Sequence, residues 1–357
     1  MADDISPIRG RGAAANPPNR FELIHFQPDP EADPADSPAP ATQFLKDTAR
    51  SLITYNDSPD VGFDASINAY RGCEHGCIYC YARPTHEYLG FSAGLDFESK
   101  ILVKEDAPEL LRRELASPRW QPQPLGMSGV TDPYQPIERR LELTRRCLQV
   151  LAEFRNPVVV ITKNHLVTRD QDLLADLARD QAAAVIVSVT TLDGELGRQL
   201  EPRATQPFGR LAAIKELAKA GVPVGTLIAP VIPGLTDHEL PSIVAAVAAA
   251  GVSFVGYTML RLPYAVAPLF EQWLERHAPE KKERVLGRIR SVRGGKLNES
   301  RFGVRMRGEG VLAEQIHALF SVACKKAGLE GRRLNLSTAA FRRPQGMQRS
   351  LFDSQGT

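Results

Sequence analysis

Three cysteines lie within eight residues of one another, in the stretch RGCEHGCIYCY. Cys73, Cys77 and Cys80 form the spacing C-x-x-x-C-x-x-C, whereas Cys147 and Cys324 stand far from them in the sequence. An odd number of cysteines, three of them clustered, is not a disulfide framework, and in a reducing compartment it indicates metal or redox chemistry. The sequence therefore predicts a metal centre on these three thiols.

Two kinds of metal centre are compatible with three thiolate ligands. A structural zinc site closes with four ligands, and the nearby candidates for the fourth are His75 and His86. A [4Fe-4S] cluster held by three cysteines would instead leave its fourth iron open for a substrate or cofactor. The residues alone leave both alternatives open.

The elements that position the cysteines alternate between short apolar runs and amphipathic runs. Six runs rich in Val, Ile or Thr are predicted strands: SINAY, PLGMSGV, NPVVVITKN, AAVIVSVTT, VPVGTLIAPVIP and SFVGYTML. Amphipathic stretches such as FGRLAAIKELAKAG lie between them and are predicted helices. Six strand–helix units predict an α/β fold with a parallel sheet, either open and doubly wound or a partial barrel. In both, ligands bind at the carboxyl ends of the strands, and the cysteine loop directly follows SINAY.

The remaining segments differ in composition from this core. Residues 1–45 are rich in Pro, Ala, Asp and Asn, lack apolar periodicity and are predicted to be disordered. The core domain is predicted over residues 60–290, followed by a helical C-terminal extension over 291–342 and a flexible tail over 343–357. We expect the extension to pack against the core.

The bulk composition limits the class of protein. With 43% hydrophobic and 24% charged residues, the chain resembles an ordinary soluble globular protein. The formal net charge of +2 excludes a molecule that binds polyanions over its whole surface, although local basic patches remain possible. No apolar run approaches the roughly 18 residues of a membrane span, and the start MADDISPIRGRG lacks the pattern of a secretory signal. We therefore expect a cytoplasmic protein without a membrane partner.

The cysteine motif after the first strand of a six-fold strand–helix region resembles the radical S-adenosylmethionine (radical SAM) superfamily. The resemblance covers about residues 68–260 and includes an aromatic residue, Tyr79, just before the third cysteine. It implies a partial (β/α)6 barrel of the TIM type. It also implies a [4Fe-4S] cluster on the three cysteines whose open iron binds S-adenosylmethionine, and reductive cleavage of that cofactor to a 5'-deoxyadenosyl radical. A one-electron donor such as flavodoxin or ferredoxin is implied as a partner.

A closer resemblance joins CIYCY to three later segments, SGVTDPYQPIE, VVVITKN and AVIVSVTT. Together they are similar to spore photoproduct lyase and its relatives, the DNA repair photolyase-like group. This similarity implies that Thr131, Lys163 and Ser188 contact the methionine and ribose portions of the cofactor. Tyr79 could pack on the cofactor's adenine or relay hydrogen. The alternative for Thr131 and Ser188 is a strand-end hydroxyl satisfied by the backbone.

Two charged residues at the same end of the sheet each have two possible roles that the sequence does not decide between. Arg203 in LEPRAT could clamp the cofactor's carboxylate in bidentate fashion, or pair with Glu201 or Glu195 on a surface loop. Glu138 could lie at the mouth of the barrel or act as a charge at a helix N-terminus.

One position departs from spore photoproduct lyase. That enzyme carries a cysteine at the end of the second strand, which returns a hydrogen atom to the product radical, and Gly129 stands at the matching place in MSGVTD. The chain is therefore not expected to repair spore photoproduct by that mechanism. Tyr81 is the predicted catalytic residue, as a hydrogen relay, with a structural role as the alternative. Cys147 and Cys324 are predicted to be small buried side chains.

The end of the sequence carries a further motif, QRSLF. Gln348, Leu351 and Phe352 match the peptide by which bacterial polymerases and repair proteins dock on the replication sliding clamp, and peptide docking suits a flexible terminus. Such docking would favour DNA as the substrate, with the arginines of RFGVRMRGEG and AAFRRPQGMQR as phosphate contacts.

Three hypotheses follow from the sequence. The leading one is a radical SAM enzyme that acts on DNA or another nucleic acid. A second is radical modification of RNA, a peptide or a metabolite. A third is a non-catalytic nucleic-acid-binding module stabilised by zinc.

Overall fold

The computed structural model describes residues 8–22, 40–332 and 334–344. Its main sheet has seven strands in the order β10-β9-β8-β7-β6-β3-β2. All neighbours pair in parallel except β2, which is antiparallel to β3. The strands of this sheet are β2 (Ile53–Tyr55), β3 (Ala65–Ile67), β6 (Leu125–Met127), β7 (Val158–Thr162), β8 (Ala183–Ser188), β9 (Val224–Val231) and β10 (Phe254–Met259). Six parallel strands with intervening helices confirm the predicted partial (β/α)6 barrel.

Helices follow most of the barrel strands and cover the sheet. Their bounds are α1 (Leu95–Ser99), α2 (Ala107–Ala116), α3 (Glu138–Leu141), α4 (Leu143–Phe154), α5 (Gln171–Ala178), α6 (Gly194–Leu200), α7 (Pro207–Lys219), α8 (Leu240–Ala250), α9 (Val266–His277), α10 (Lys282–Ser291) and α11 (Val311–Lys326). Short 3-10 helices span Arg83–Leu89, His165–Asp170, Asp237–Glu239 and Pro279–Lys281. Among the described residues, no helix is long and apolar enough to cross a membrane.

The sequence explains the strands and helices of the core. Central strand β7 reads VVVIT, and four of its five residues are buried, as expected for a parallel strand covered on both faces. In α7 a proline occupies the first turn, where its missing N–H costs nothing, and Ala213, Ile214 and Leu217 face the core. Gly221 ends this region with a φ of +80°, a conformation that glycine adopts without a steric penalty.

Part of the segment 1–45, which the sequence predicts to be disordered, packs in the structure, and this corrects the prediction for residues 8–22 and 40–45. Residues 8–22 lie against the cysteine loop, and β1 (Gln43–Lys46) joins a second sheet with β5 (Lys100–Val103) and β4 (Tyr70–Arg71). The segment is held mainly by polar contacts to its backbone, such as those from Glu98 to Gly12 and Ala13. Such contacts leave no apolar periodicity to detect.

The C-terminal extension packs against the core as expected. Helix α11 lies beside α8, and residues 301–308 fold back so that the N–H of Met259 donates to the carbonyl of Met306 over 2.8 Å. Arg342 and Arg343 donate to the carbonyls of Glu153 and Trp120, near the amino ends of the barrel strands. These two arginines therefore lie at the end opposite the cysteines. The QRSLF motif falls outside the described residues.

Candidate active site

The cysteine loop begins where the first barrel strand and β4 end. Gly72, with a φ of +80°, turns the chain directly before Cys73, and the N–H of Cys73 donates to the carbonyl of Phe97 over 2.9 Å. Cys73 and Cys77 are buried and Cys80 is partly buried. The three thiols thus lie at the carboxyl end of the sheet, as the sequence predicts.

The three thiols influence one another electrostatically. Burial raises the pKa of Cys77 well above its usual value, and the neighbouring Glu201, Cys80 and Cys73 raise it further. Burial also raises the pKa of Cys80 to about 11, with Cys73 as the next contributor. Because thiolates are the metal-binding form, ligand binding here must release protons and must be compensated by a cationic metal.

Neither candidate histidine is placed as a fourth ligand. His75 is buried, with Nδ1 3.4 Å from Asp132 Oδ2 and Nε2 3.3 Å from Asn164 Nδ2. His86 is also buried, with Nε2 2.9 Å from the carbonyl of Lys100 and its ring packed near Phe97. His86 therefore serves the interior around the cysteine loop, whereas His75 also hydrogen-bonds with the Cys73 thiol. Burial opposes the charged form of His75, but Asp132 and Cys73 outweigh it and raise its pKa to about 10.

A buried ion pair supports the backbone of the cysteine loop. Arg83 and Glu98, both fully buried, are joined by a contact of 2.5 Å between Nη2 and Oε1. The same guanidinium donates to the carbonyls of Gly76 and Cys77, the latter at 2.9 and 3.0 Å. Because planar Arg offers five donors in a fixed geometry, one side chain fixes the curvature of this loop.

A second buried ion pair lies under the mouth of the barrel, centred on Glu201. Its carboxylate contacts the guanidinium of Arg210 and the hydroxyl of Tyr79, and accepts from Thr190 Oγ1 at 2.7 Å. Lys163 Nζ lies 3.4 Å from Glu201 Oε1 and donates to the carbonyl of Ala229 over 2.9 Å. Although burial opposes ionisation, Arg210 and Lys163 outweigh it and hold the pKa of Glu201 well below its usual range.

This network brings together two of the predicted cofactor-binding residues. The Lys163 ammonium lies 5.8 Å from the centre of the Tyr79 ring, and both side chains converge on Glu201. The Tyr79 hydroxyl points into the network and lies 3.2 Å from Thr190 Oγ1. Glu201, Arg210 and Thr190 were not predicted as site residues, because no local pattern in the sequence links them to the cysteines.

Thr131 shows the backbone contact that the sequence analysis kept as an alternative. Its hydroxyl donates to the carbonyl of Gly72 over 2.6 Å and accepts from Gln135 Nε2 at 3.1 Å. This ties the end of the second barrel strand to the start of the cysteine loop. Ser188 ends β8, is buried, and offers its carbonyl to Arg210 Nη1 at 3.0 Å.

Arg203 pairs with neither of its expected surface partners. Its guanidinium lies 3.0 Å from Glu74 Oε1, whereas Glu195 pairs with Arg198 and Glu201 lies in the buried network. The backbone explains the difference, because the N–H of Arg203 donates to the carbonyl of His75 over 3.2 Å. This contact places Arg203 against the cysteine loop.

Two acidic residues near the second strand are buried structural groups. Asp132 accepts from Thr162 Oγ1 at 2.7 Å and from the N–H of Lys163 at 2.8 Å, which joins the second and third strand ends. Glu138 accepts from Tyr70 Oη at 2.5 Å and from Arg169 Nη2 at 2.8 Å. It is the first residue of α3, which agrees with the helix N-terminus alternative.

Tyr81 and Gly129 face each other across the mouth. Tyr81 is 50% exposed, and its hydroxyl donates to the carbonyl of Gly129 over 2.9 Å. A Cβ atom built on Gly129 would meet nothing within 4 Å. Gly129, which the sequence resemblance matches with a hydrogen-donating thiol, therefore opens onto free space beside a tyrosine.

Comparison with known protein families matches residues 67–247, half of the chain, to the radical SAM superfamily. This chain belongs to that superfamily. The matched region contains the three cysteines and ends within α8.

Several relatives share this region. An uncharacterized protein of Mycobacterium tuberculosis is 39% identical over 220 residues, which are 61% of this chain and 65% of that protein. The chain therefore spans just under two thirds of the length of these curated relatives. An uncharacterized protein of Methanocaldococcus jannaschii is 30% identical over 55% of this chain and 71% of its own. The Radical SAM Nalpha-GlyT isomerase of Pseudomonas phage M6 is 25% identical over 58% of this chain and 42% of its own.

Solved structures of spore photoproduct lyase have the same fold. One complexed with dinucleoside spore photoproduct superposes with a TM-score of 0.56 at 16% identity and covers 79% of each chain. At this identity the likeness concerns the fold alone. It agrees with the partial barrel predicted for radical SAM enzymes.

Proposed function

We propose that this radical SAM enzyme binds a [4Fe-4S] cluster through Cys73, Cys77 and Cys80, and that its substrate is DNA or another nucleic acid. When bound, the cluster and S-adenosylmethionine supply a 5'-deoxyadenosyl radical by one-electron cleavage of the cofactor. The observation that carries the proposal is the placement of three mutually interacting thiols, two buried and one partly buried, on the loop at the carboxyl end of the barrel.

The arrangement of the donors supports a cluster over zinc. Zinc needs ligands that converge on one point, with sulfur atoms about 2.3 Å from the metal. A cluster instead distributes its cysteines over separate irons, which suits three thiols spread along a loop.

The chain's own polar groups fit a zwitterionic cofactor above the loop. We assign Tyr79, Lys163, Thr131 and Ser188 to its binding, since all four lie at strand ends or on the cysteine loop. The Lys163 side chain is 15% exposed, and its ammonium faces Glu201, the carbonyl of Ala229 and Thr190 Oγ1, so it binds a carboxylate by exchanging one of these contacts. Arg203 can bind that carboxylate only by exchanging its contact with Glu74.

The support for a nucleic acid substrate comes from the solved spore photoproduct lyase complex, whose bound ligand is a dinucleoside. The phage protein is named Radical SAM Nalpha-GlyT isomerase, and spore photoproduct lyase was solved with a dinucleoside spore photoproduct. These two names describe the phage protein and spore photoproduct lyase themselves. For this chain the dinucleoside complex favours a nucleoside-containing substrate over a peptide.

Tyr81 is our candidate for returning hydrogen to the product radical, since Gly129 offers no thiol. Tyr81 follows Cys80 in the sequence and is half exposed, with its hydroxyl bonded to the carbonyl of Gly129 at the mouth. In this step the phenol gives a hydrogen atom to the product radical and leaves a phenoxyl radical on Tyr81. A flavodoxin or ferredoxin then supplies one electron, and solvent supplies one proton, to restore the phenol.

Docking on the replication sliding clamp through Gln348, Leu351 and Phe352 is a separate part of the proposal. The motif lies outside the described residues, and its support is the match to the docking peptide. Titration of purified clamp into the full chain and into a chain cut after Gln345 tests it. Equal binding by both would exclude a role for the motif.

The experiment that tests the enzyme is reconstitution without oxygen. Protein supplied with iron, sulfide, S-adenosylmethionine and a strong reductant is expected to form 5'-deoxyadenosine, and a Cys77→Ala variant is expected to form none. Cys147→Ala is the matched control, because this buried thiol lies in α4 away from the loop and should leave product formation intact. Zinc in place of iron and sulfide, without 5'-deoxyadenosine, would overturn the proposal.

A further inference from the structure

Arg261 lies in the loop directly after β10, at the mouth of the barrel. Its guanidinium carbon is 4.8 Å from the centre of the Tyr81 ring. Tyr81 directly follows Cys80 in the sequence, so only the Tyr81 ring separates this guanidinium from the cysteine loop. The side chain of Arg261 is only partly exposed.

Within the residues that the structure describes, the Arg261 guanidinium makes no hydrogen bond and no ion pair. Burial has the largest effect on its pKa and lowers it, Arg305 lowers it further, and Tyr81 and Asp60 offset this only in part. A partly buried guanidinium without acceptors is costly in free energy. Such a group is expected to meet an anion when the site is filled.

The guanidinium groups of the arginines around Arg261 already have hydrogen-bond acceptors. Arg305 donates from Nε to Asp60 Oδ2 over 2.6 Å. Arg293 is fully buried and gives its donors to carbonyls, among them those of Leu260 at 2.6 Å and of Arg305 at 2.8 Å. These contacts fix the loops on both sides of Arg261 without using its own charge.

The position of Arg261 is at the opening of the barrel. Strands β2 and β10 are the two edges of the main sheet. Asp60, in the loop after β2, meets Gly303 and Arg305 near the end of β10, with the N–H of Gly303 2.8 Å from Asp60 Oδ1. Arg261 follows β10 and therefore lies near this seam, against the ring of Tyr81.

We propose that Arg261 binds a backbone phosphate of the nucleic acid substrate and thereby sets the target nucleotide against the cysteine loop. A guanidinium matches phosphate oxygens in bidentate geometry. The half-exposed Tyr81 ring beside it offers a surface on which a base can stack. This inference rests on the proposed nucleic acid substrate and names the group that holds it.

Titration of the full, anaerobically reconstituted protein with a fluorescein-labelled single-stranded oligodeoxynucleotide of ~20 residues, followed by anisotropy at ~50 to ~200 mM salt, tests the proposal. We expect Arg261→Gln to weaken binding about tenfold and to reduce the slope of log affinity against log salt by about one. Arg261→Lys keeps a cation at the site and should lose less.

Arg290→Gln is the matched control, because Arg290 is exposed on α10 and its side chain makes no hydrogen bond or ion pair among the described residues. Loss of one surface charge there should change affinity less than about twofold. Equal affinities for the two Gln variants would overturn the assignment while leaving nucleic acid as substrate. No binding by the wild type would overturn both.

A separate measurement excludes the cofactor as the anion. Equilibrium dialysis with S-adenosylmethionine should give the same affinity for wild type and Arg261→Gln. Loss of cofactor affinity with unchanged oligonucleotide affinity would assign Arg261 to the cofactor's carboxylate and overturn the proposal. Circular dichroism and thermal unfolding of each variant confirm that the comparison is between folded proteins.

Discussion

The hydroxyl of Tyr81 donates to the carbonyl of Gly129 over 2.9 Å, and this contact joins the cysteine loop to the end of the second barrel strand. Gly129 has a φ of +113° with open space where a side chain would begin. The position therefore favours glycine because of its backbone conformation, and not because neighbouring atoms would clash with a larger side chain. That distinction predicts how the position responds to substitution.

Gly129→Ala is expected to lower the free energy of unfolding by about 1–2 kcal/mol, because an L side chain is strained at this φ although no atom is in its way. Urea unfolding measures the change. Gly62→Ala is the control, since Gly62 also has open space but no left-handed φ, and it should be nearly neutral. Equal losses at both positions would show that the backbone at Gly129 relaxes freely.

Removal of the charge on Glu98 tests the support of the cysteine loop. Glu98→Gln leaves the buried Arg83 without its counter-charge and weakens the acceptors for the N–H groups of Gly12 and Ala13. We expect a loss of about 3 kcal/mol in unfolding free energy. Faster proteolysis within residues 8–22 should accompany it.

The control for this pair is Glu109→Gln. Glu109 also pairs with an arginine, Arg146, at 2.8 Å, but both side chains are well exposed. Exposed pairs contribute roughly 0–1 kcal/mol, so this substitution should have little effect. Similar losses for the two variants would mean that burial does not determine the cost.

The strands and the location of the cysteines could be predicted because the information is local. Short runs of β-branched residues predict buried strands, and parallel strands place their following loops at one end of a sheet. The amphipathic stretch IERRLELTRRCLQVLAEF, residues 137–154, shows the limit of local information, because its sequence predicts one continuous helix. Glu142 adopts a φ of +51° and divides it into α3 and α4, and no glycine or proline in the sequence marks the break.

The partners of charged residues could not be predicted, since they depend on which loops meet in space. Arg203 lies two residues from Glu201, yet it pairs with Glu74 across the fold. Arg261 carries no motif at all, and its position beside Tyr81 emerges only when β10 is placed in the barrel. Residues 8–22 were missed for a related reason, because side chains elsewhere hold their backbone.

Substitutions in the Glu201 network should show a definite order. Glu201→Gln removes the counter-charge of the buried Arg210 and should cost about 3–5 kcal/mol in unfolding free energy. Lys163→Met leaves the Arg210 pair intact and should cost less, about 1–2 kcal/mol. The exposed Glu195→Gln provides the baseline. The reverse order would show that Lys163 rather than Arg210 balances the carboxylate.

The pH dependence of stability should report His86. Burial lowers its pKa to about 4 in the folded protein, whereas the ordinary pKa of a histidine side chain is 6.5. Between these values the unfolded state takes up a proton that the folded state does not, so the free energy of unfolding must fall as the pH falls. The full effect amounts to about 3 kcal/mol and is absent above the unfolded pKa.

Urea unfolding of metal-free protein between pH 6.5 and about 4 measures this loss without interference from a cluster. His86→Phe, which places an uncharged ring near Phe91 and Phe97, should flatten the dependence over this window. His165→Gln removes a half-exposed histidine and should leave it unchanged. If His86→Phe kept the wild-type dependence of unfolding free energy on pH, other groups would cause the acid sensitivity. The imidazole of His86 would then have to take up its proton within the folded protein.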